Sequence, residues 1–148
     1  PVDLTRMLQQ VADEFAPMLE EAGLTCRLFL PDRLPYPCDP DKLARVFDNL
    51  LRNACHYSTP GTVVRISAEQ GEEGITLTFA NTGITIPSEK LRRIFEQFFR
   101  LDSSRASGTG GAGLGLAIAK EIVQLHGGTI TAQSEDGVTT VTVCLPKL

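Results

Sequence analysis

The chain has 148 residues, 42% of them apolar and 22% charged, a composition that excludes a disordered tail and fits one folded domain with a sizeable core. Fourteen Lys and Arg against eighteen Asp and Glu leave a net charge of -4, which argues against nucleic acid as a partner, because a general polyanion binder needs clustered basic residues. No apolar run approaches the roughly 20 residues needed to cross a bilayer, so no membrane contact is expected from this stretch.

Leu4, Met7, Leu8, Val11, Phe15, Met18 and Leu19 recur at helical spacing and predict one amphipathic helix ending near Gly23. Leu24 to Leu30 reads as a short strand, and the proline-rich Pro31 to Pro40 stretch as a connection. Asp39 or Asp41 can cap a second helix, whose buried stripe is Leu43, Val46, Phe47, Leu50, Leu51 and Ala54 and which stops before Thr59-Pro60-Gly61. Val63 to Ala68 and Ile75 to Ala80 flank Gly71-Glu72-Glu73-Gly74 and predict a hairpin. Ser88 is placed to cap a short helix carrying Leu91, Ile94 and Phe95. From Asp102 to Gly113 the chain is rich in Ser and Gly without apolar periodicity and reads as a mobile loop. A last helix over Leu114 to Leu125 ends at Gly127-Gly128, and Thr129 to Ser134 with Val138 to Leu145 form a terminal hairpin. Cys26, Cys38, Cys55 and Cys144 show neither a CxxC pair nor metal-ligand spacing with His56 or His126, and read as reduced thiols.

Chemistry is concentrated in three places. On the second helix Asn49, Asn53 and Tyr57 stand four residues apart in succession and project from nearly one face, with His56 beside them. A carboxamide oxygen is a hard neutral ligand that can complete a magnesium shell when phosphates supply the charge, which makes Asn53 the metal candidate. Helix asparagines taken alone are more often solvated. The second place is the glycine segment. Gly108 to Gly113 formally matches GxGxxG with Glu135 downstream, yet a polar loop after a helix precedes it where a dinucleotide fingerprint requires a strand, and no GxxxxGK[ST] loop exists. Gly111, Gly113 and Gly115 instead allow close backbone approach to an anion at a helix start near Leu114 and Leu116, with Arg100 and Arg105 flanking as phosphate-neutralising candidates. The third place is Asn81-Thr82-Gly83-Ile84-Thr85-Ile86-Pro87 at a strand end, where Asn81 can accept from an adenine amino group, Gly83 can allow close approach and Ile86 can cover a ring face.

In this order the segments resemble the ATP-binding catalytic domain of sensor histidine kinases in the GHKL superfamily, shared with gyrase, heat-shock chaperone and mismatch-repair ATPases. Asp39 to Ala54 looks like the family's N box, Asn81 to Pro87 its first glycine box, Ile94 to Arg100 its F box and Gly110 to Leu116 its second glycine box. The wording of these boxes is most similar to the vancomycin-resistance sensor kinases. The resemblance implies an α/β two-layer sandwich, a mixed five-stranded sheet with three main helices on one face, formed by residues 1–148 as a single ATP-binding catalytic domain of a longer protein. It also implies Mg2+ and ATP as cofactors, with Asn53 on the metal, Asn49 and Tyr57 along the nucleotide, and Arg100 to Gly113 as a lid. His56 stands where the family has Lys or Arg, Asn81 where it has Asp, and Thr85 where it has a second glycine. Hydrolysing members carry a Glu base at the position of Asn49.

Implied partners are a dimerisation and histidine-phosphotransfer region of the parent kinase and, indirectly, a response regulator; the implied location is the cytoplasmic portion of a membrane-anchored sensor. Two other functions remain open from sequence: a GHKL ATPase, which ATP hydrolysis would reveal, and a degenerate nucleotide-binding or interaction domain, which absent nucleotide affinity would reveal.

Overall fold

The computed structural model describes residues 1–96 and 111–148, apart from the side chains of residues 111–114. β1 (Val2–Asp3) runs straight into α1 (Leu4–Glu14), capped by Asp3, whose carboxylate accepts the Thr5 N–H at 3.1 Å. The single helix predicted through Leu19 is broken at Phe15, and α2 (Ala16–Glu21) starts afresh. Pro17 has no N–H with which to continue the ladder back to Asp13. Most of the stripe survives the break: Leu4, Leu8, Val11, Phe15 and Leu19 are buried and Met7 is half-buried, whereas Met18 is exposed.

β2 (Thr25–Phe29) follows, and then β3 (Pro35–Tyr36), which pairs antiparallel with β1 inside the segment predicted as plain connection. Two residues carry no periodicity, and a proline opening a strand gives up no necessary donor. The Tyr36 hydroxyl donates to the Pro146 carbonyl at 2.6 Å, fastening this connection to the far end of the chain.

α3 (Pro40–Tyr57) is the central helix. Of the two candidate caps Asp39 serves, accepting from the N–H groups of Asp41 and Lys42 at 3.1 and 3.2 Å, with Pro40 in the first turn where its missing N–H costs nothing. β4 (Val63–Gly71) and β5 (Gly74–Thr82) form the predicted hairpin around Glu72-Glu73. α4 (Ser88–Leu91) is a single turn whose cap position is Pro87. Ser88 therefore lies inside it and makes no capping bond, and Ile94 and Phe95 fall in the turns beyond. α5 (Gly111–Leu125) starts three residues before the predicted Leu114 and ends at Gly127, whose φ of +78° suits glycine. β6 (Thr129–Glu135) and β7 (Val138–Pro146) close the fold.

The strand order is β2-β4-β5-β7-β6, with β2 parallel to β4 and every other pair antiparallel, a mixed five-stranded sheet. α1, α3 and α5 pack together over one face. The predicted stripe of α3, Leu43, Val46, Phe47, Leu50, Leu51 and Ala54, is buried against Ile66, Leu77, Phe79, Val141 and Val143 from alternate positions of the strands. Each of these Leu, Ile, Val and Phe side chains removed from water contributes about 1.5–3 kcal/mol. Phe47 meets Phe79 with ring centroids 6.2 Å apart.

Candidate functional site: a cavity between the central helix and the sheet edge

Because the apolar stripe of α3 faces the sheet, its amide residues are turned toward the edge of the helix layer. The place where they meet the sheet is set by a backbone crossing. Ser58 leaves the helix in extended conformation, its hydroxyl donating back to the Ala54 carbonyl at 2.5 Å, and bridges to Gly83 just past β5. The Thr59 N–H donates to the Thr82 carbonyl at 2.9 Å. A Cβ at Gly83 would run into the Tyr57 carbonyl. The glycine is thus required by the approach of α3, a reason separate from the expectation that it makes room for a base.

A second anchor comes from the β6–β7 turn, where Asp136 and Gly137 both have positive φ. The Gly83 N–H donates to the Gly137 carbonyl at 2.7 Å, and the Gly137 N–H donates to Thr85 Oγ1 at 2.7 Å. Ser134 Oγ accepts the Ile86 N–H at 2.8 Å and shares a hydrogen bond with Thr139 Oγ1 at 2.9 Å. Thr85, which stands where the resemblance leads one to expect glycine, supplies a hydroxyl that glycine lacks. These bonds hold residues 81–87 open as the wall of a cavity of about 480 Å³.

Of the predicted site residues, Asn53, His56, Tyr57, Asn81 and Ile86 line this one cavity. Asn81 is only 7% exposed and His56 is exposed at the rim, edge-on to the Tyr57 ring at 4.6 Å. Ile84, Thr85, Pro87, Lys90 and Thr139 complete the lining; none stands out as a contact in the sequence. Thr139 pairs with Asn81 across the β5–β7 ladder, so the strand order alone would have revealed it.

Asn49 does not line the cavity. Its amide donates to the Gly115 carbonyl at 3.3 Å, joining α3 to α5, and Gly115 lies against it at ordinary contact distance. The amide helix and the glycine segment are therefore neighbours. Leu116 is 5% exposed and belongs to the core rather than to a ligand surface. Gly111, Gly113 and Leu114 fall in the first turn of α5, inside the helix rather than in a loop before it. Arg100 and Arg105 lie outside the described residues, as does the predicted lid up to residue 110.

The Oδ1 atom of Asn53 is buried and has no hydrogen-bond partner among the described residues. A buried acceptor without a donor is costly in a protein interior, and a hard cation satisfies it. Among the described residues no three His, Cys, Asp or Glu side chains gather as a metal cluster, so Asn53 fits a cation only when other ligands, such as phosphate oxygens, come with it.

Residues 38–148 match the family model of histidine kinase-, DNA gyrase B- and HSP90-like ATPases, and the chain belongs to this family. Within it, the module is the ATP-binding catalytic type found in sensor histidine kinases. It is 50% identical over 147 residues to the sensor protein VanS of Enterococcus faecium, covering 99% of this chain and 38% of the relative. It is 38% identical to the signal transduction histidine-protein kinase BaeS of Escherichia coli (strain K12), over 99% of this chain and 32% of that one. The mycobacterial sensor histidine kinase MprB superposes with a TM-score of 0.85 at 28% identity, over 98% of this chain and 96% of that one. Full-length ShkA in complex with AMPPNP superposes at 0.83 and 29% identity, over 99% of this chain and 30% of that one. The chain thus spans well under half the length of these curated relatives.

Proposed function

We propose that the cavity holds Mg-ATP and presents its γ-phosphate to a histidine on a separate dimerisation region of a longer, membrane-anchored sensor kinase, of which residues 1–148 are the single catalytic domain. The observation that carries this reading is that Asn53, whose buried Oδ1 has no hydrogen-bond partner among the described residues, lines the same cavity as the buried Asn81. Asn53 holds the cation, Asn81 and Ile86 contact the base, and Tyr57 and His56 lie along the nucleotide. Mg2+, which Asn53 would hold, would supply neutralisation of the phosphate charge.

The chain's own residues favour transfer over hydrolysis. Asn49 is an amide, which takes no proton from water at neutral pH, and it is already engaged with Gly115. Neither histidine is suited to accept the phosphoryl group. His56 sits at the cavity rim. His126 is a structural clasp, its Nε2 accepting the Asp39 N–H at 3.3 Å while its Nδ1 lies 2.9 Å from the Ile122 carbonyl. The acceptor imidazole comes from elsewhere: its nitrogen bonds to phosphorus, the bond to the β-phosphate oxygen breaks, and ADP leaves. A response regulator would take the phosphoryl group onward.

The test is transfer of label from γ-labelled ATP to a supplied dimerisation fragment with Mg2+. The expected product is an acid-labile phosphoramidate on that fragment. Release of inorganic phosphate with no labelled fragment would contradict the proposal and favour an ATPase.

A further inference from the structure

The buried polar group at the floor of the cavity is a carboxamide. Asn81 is the penultimate residue of β5, 7% exposed, and its side chain makes no hydrogen bond to another described residue while it lines the cavity. A carboxylate offers acceptors only, whereas an amide offers an acceptor and a donor of nearly equal size on one carbon. A half-turn about its last torsion exchanges them without repacking.

The edge of a purine presents the matching choice. A 6-aminopurine shows an N–H donor beside a ring-nitrogen acceptor; a 6-oxopurine shows a carbonyl acceptor beside a ring N–H donor. The Asn81 amide complements the first in one orientation and the second in the other. An ionised carboxylate, with acceptors only, meets one donor and one acceptor on either edge and so complements neither fully.

The neighbouring group is equally reversible. Thr139 Oγ1 shares its hydrogen bond with Ser134 Oγ, and either hydroxyl can be the donor. The basic side chains of the lining, His56 and Lys90, are exposed at the rim and do not bias the floor.

We propose that this site takes 6-oxopurine as well as 6-aminopurine nucleoside triphosphates, with Asn81 as the residue that sets this tolerance. The inference rests on the reading of the cavity as a nucleotide site. ITP is the proper probe, because it differs from ATP only at the edge in question and lacks the 2-amino group of GTP.

The experiment is calorimetric titration with ATP and with ITP, each with Mg2+, on the wild-type chain and on Asn81→Asp, with melting curves to verify folding of the variant. The wild-type dissociation constants should agree within about tenfold, and Asn81→Asp should weaken binding of both nucleotides by about tenfold or more, as expected when a site's polar group is left facing a group it cannot pair with. ITP binding more than about a hundredfold weaker than ATP in the wild type would overturn the inference and leave the nucleotide site standing. That ratio needs no variant. Failure of both nucleotides to bind would overturn the inference together with the reading beneath it.

Discussion

The Asn49 side chain donates to the Gly115 carbonyl across 3.3 Å, tying the amide helix α3 to the glycine-rich start of α5. Two motifs some sixty residues apart in sequence thereby share one wall of the molecule. Asn49→Ala removes a partly buried hydrogen bond and should lower unfolding free energy by about 1 kcal/mol. Urea denaturation measures it, and an unchanged midpoint would show that the contact is not part of the packing.

Gly83→Ala should be far more damaging than its size suggests. The added methyl meets the Tyr57 carbonyl, a backbone atom held by the Ser58 bridge and by the Thr59 to Thr82 bond, so neither side yields easily. Overpacking of this kind costs about 1–3 kcal/mol. A melting temperature equal to wild type would show that the crossing of α3 and β5 is looser than described.

How much was legible in the residues depended on periodicity. The stripe of α3 and the alternation in β5 and β7 are regular, so core and site helix could be read directly, and with them Asn53, His56, Tyr57 and Asn81. Lys90 obeys no local pattern, and Thr139, although on the buried face of β7, is a polar residue that the alternation does not connect to a site. They reach the cavity through strand order and through the turn after Pro87, both decided by long-range packing. Local chemistry at Pro17 overrode a good helical stripe, and the β1–β3 pair is too short to signal itself. The glycines stand out in the sequence, yet Gly83 serves a backbone crossing that only the fold displays.

Thr85→Ala should loosen the cavity wall without touching the core. It removes the acceptor of the Gly137 N–H and leaves the Gly83 to Gly137 bond in place. Hydrogen exchange at the Gly137 amide should accelerate by about tenfold, the equivalent of one modest hydrogen bond. Unchanged protection would mean that the hydroxyl does not hold the turn.

Cys55 supplies a pH dependence. It is buried on α3, and burial, followed by the nearby Cys26, pushes its thiol from the ordinary 9.0 up to about 11. The folded state keeps the proton where the unfolded chain loses it, so this contribution is complete below about pH 9 and is lost as pH rises toward 11. Denaturation midpoints should fall across that window in wild type and fall less in Cys55→Ala. Equal slopes in the two would refute the assignment.

The most direct test of the account is magnesium-dependent nucleotide binding by the wild-type chain and by Asn53→Ala, followed by calorimetry with ATP in the presence and absence of Mg2+. Asn53 presents a buried oxygen with no donor among the described residues, and its removal should abolish the gain in affinity that Mg2+ confers while leaving the melting temperature within a few degrees of wild type. Wild-type affinity that ignores Mg2+, or an Asn53→Ala variant that keeps the full magnesium effect, would contradict it.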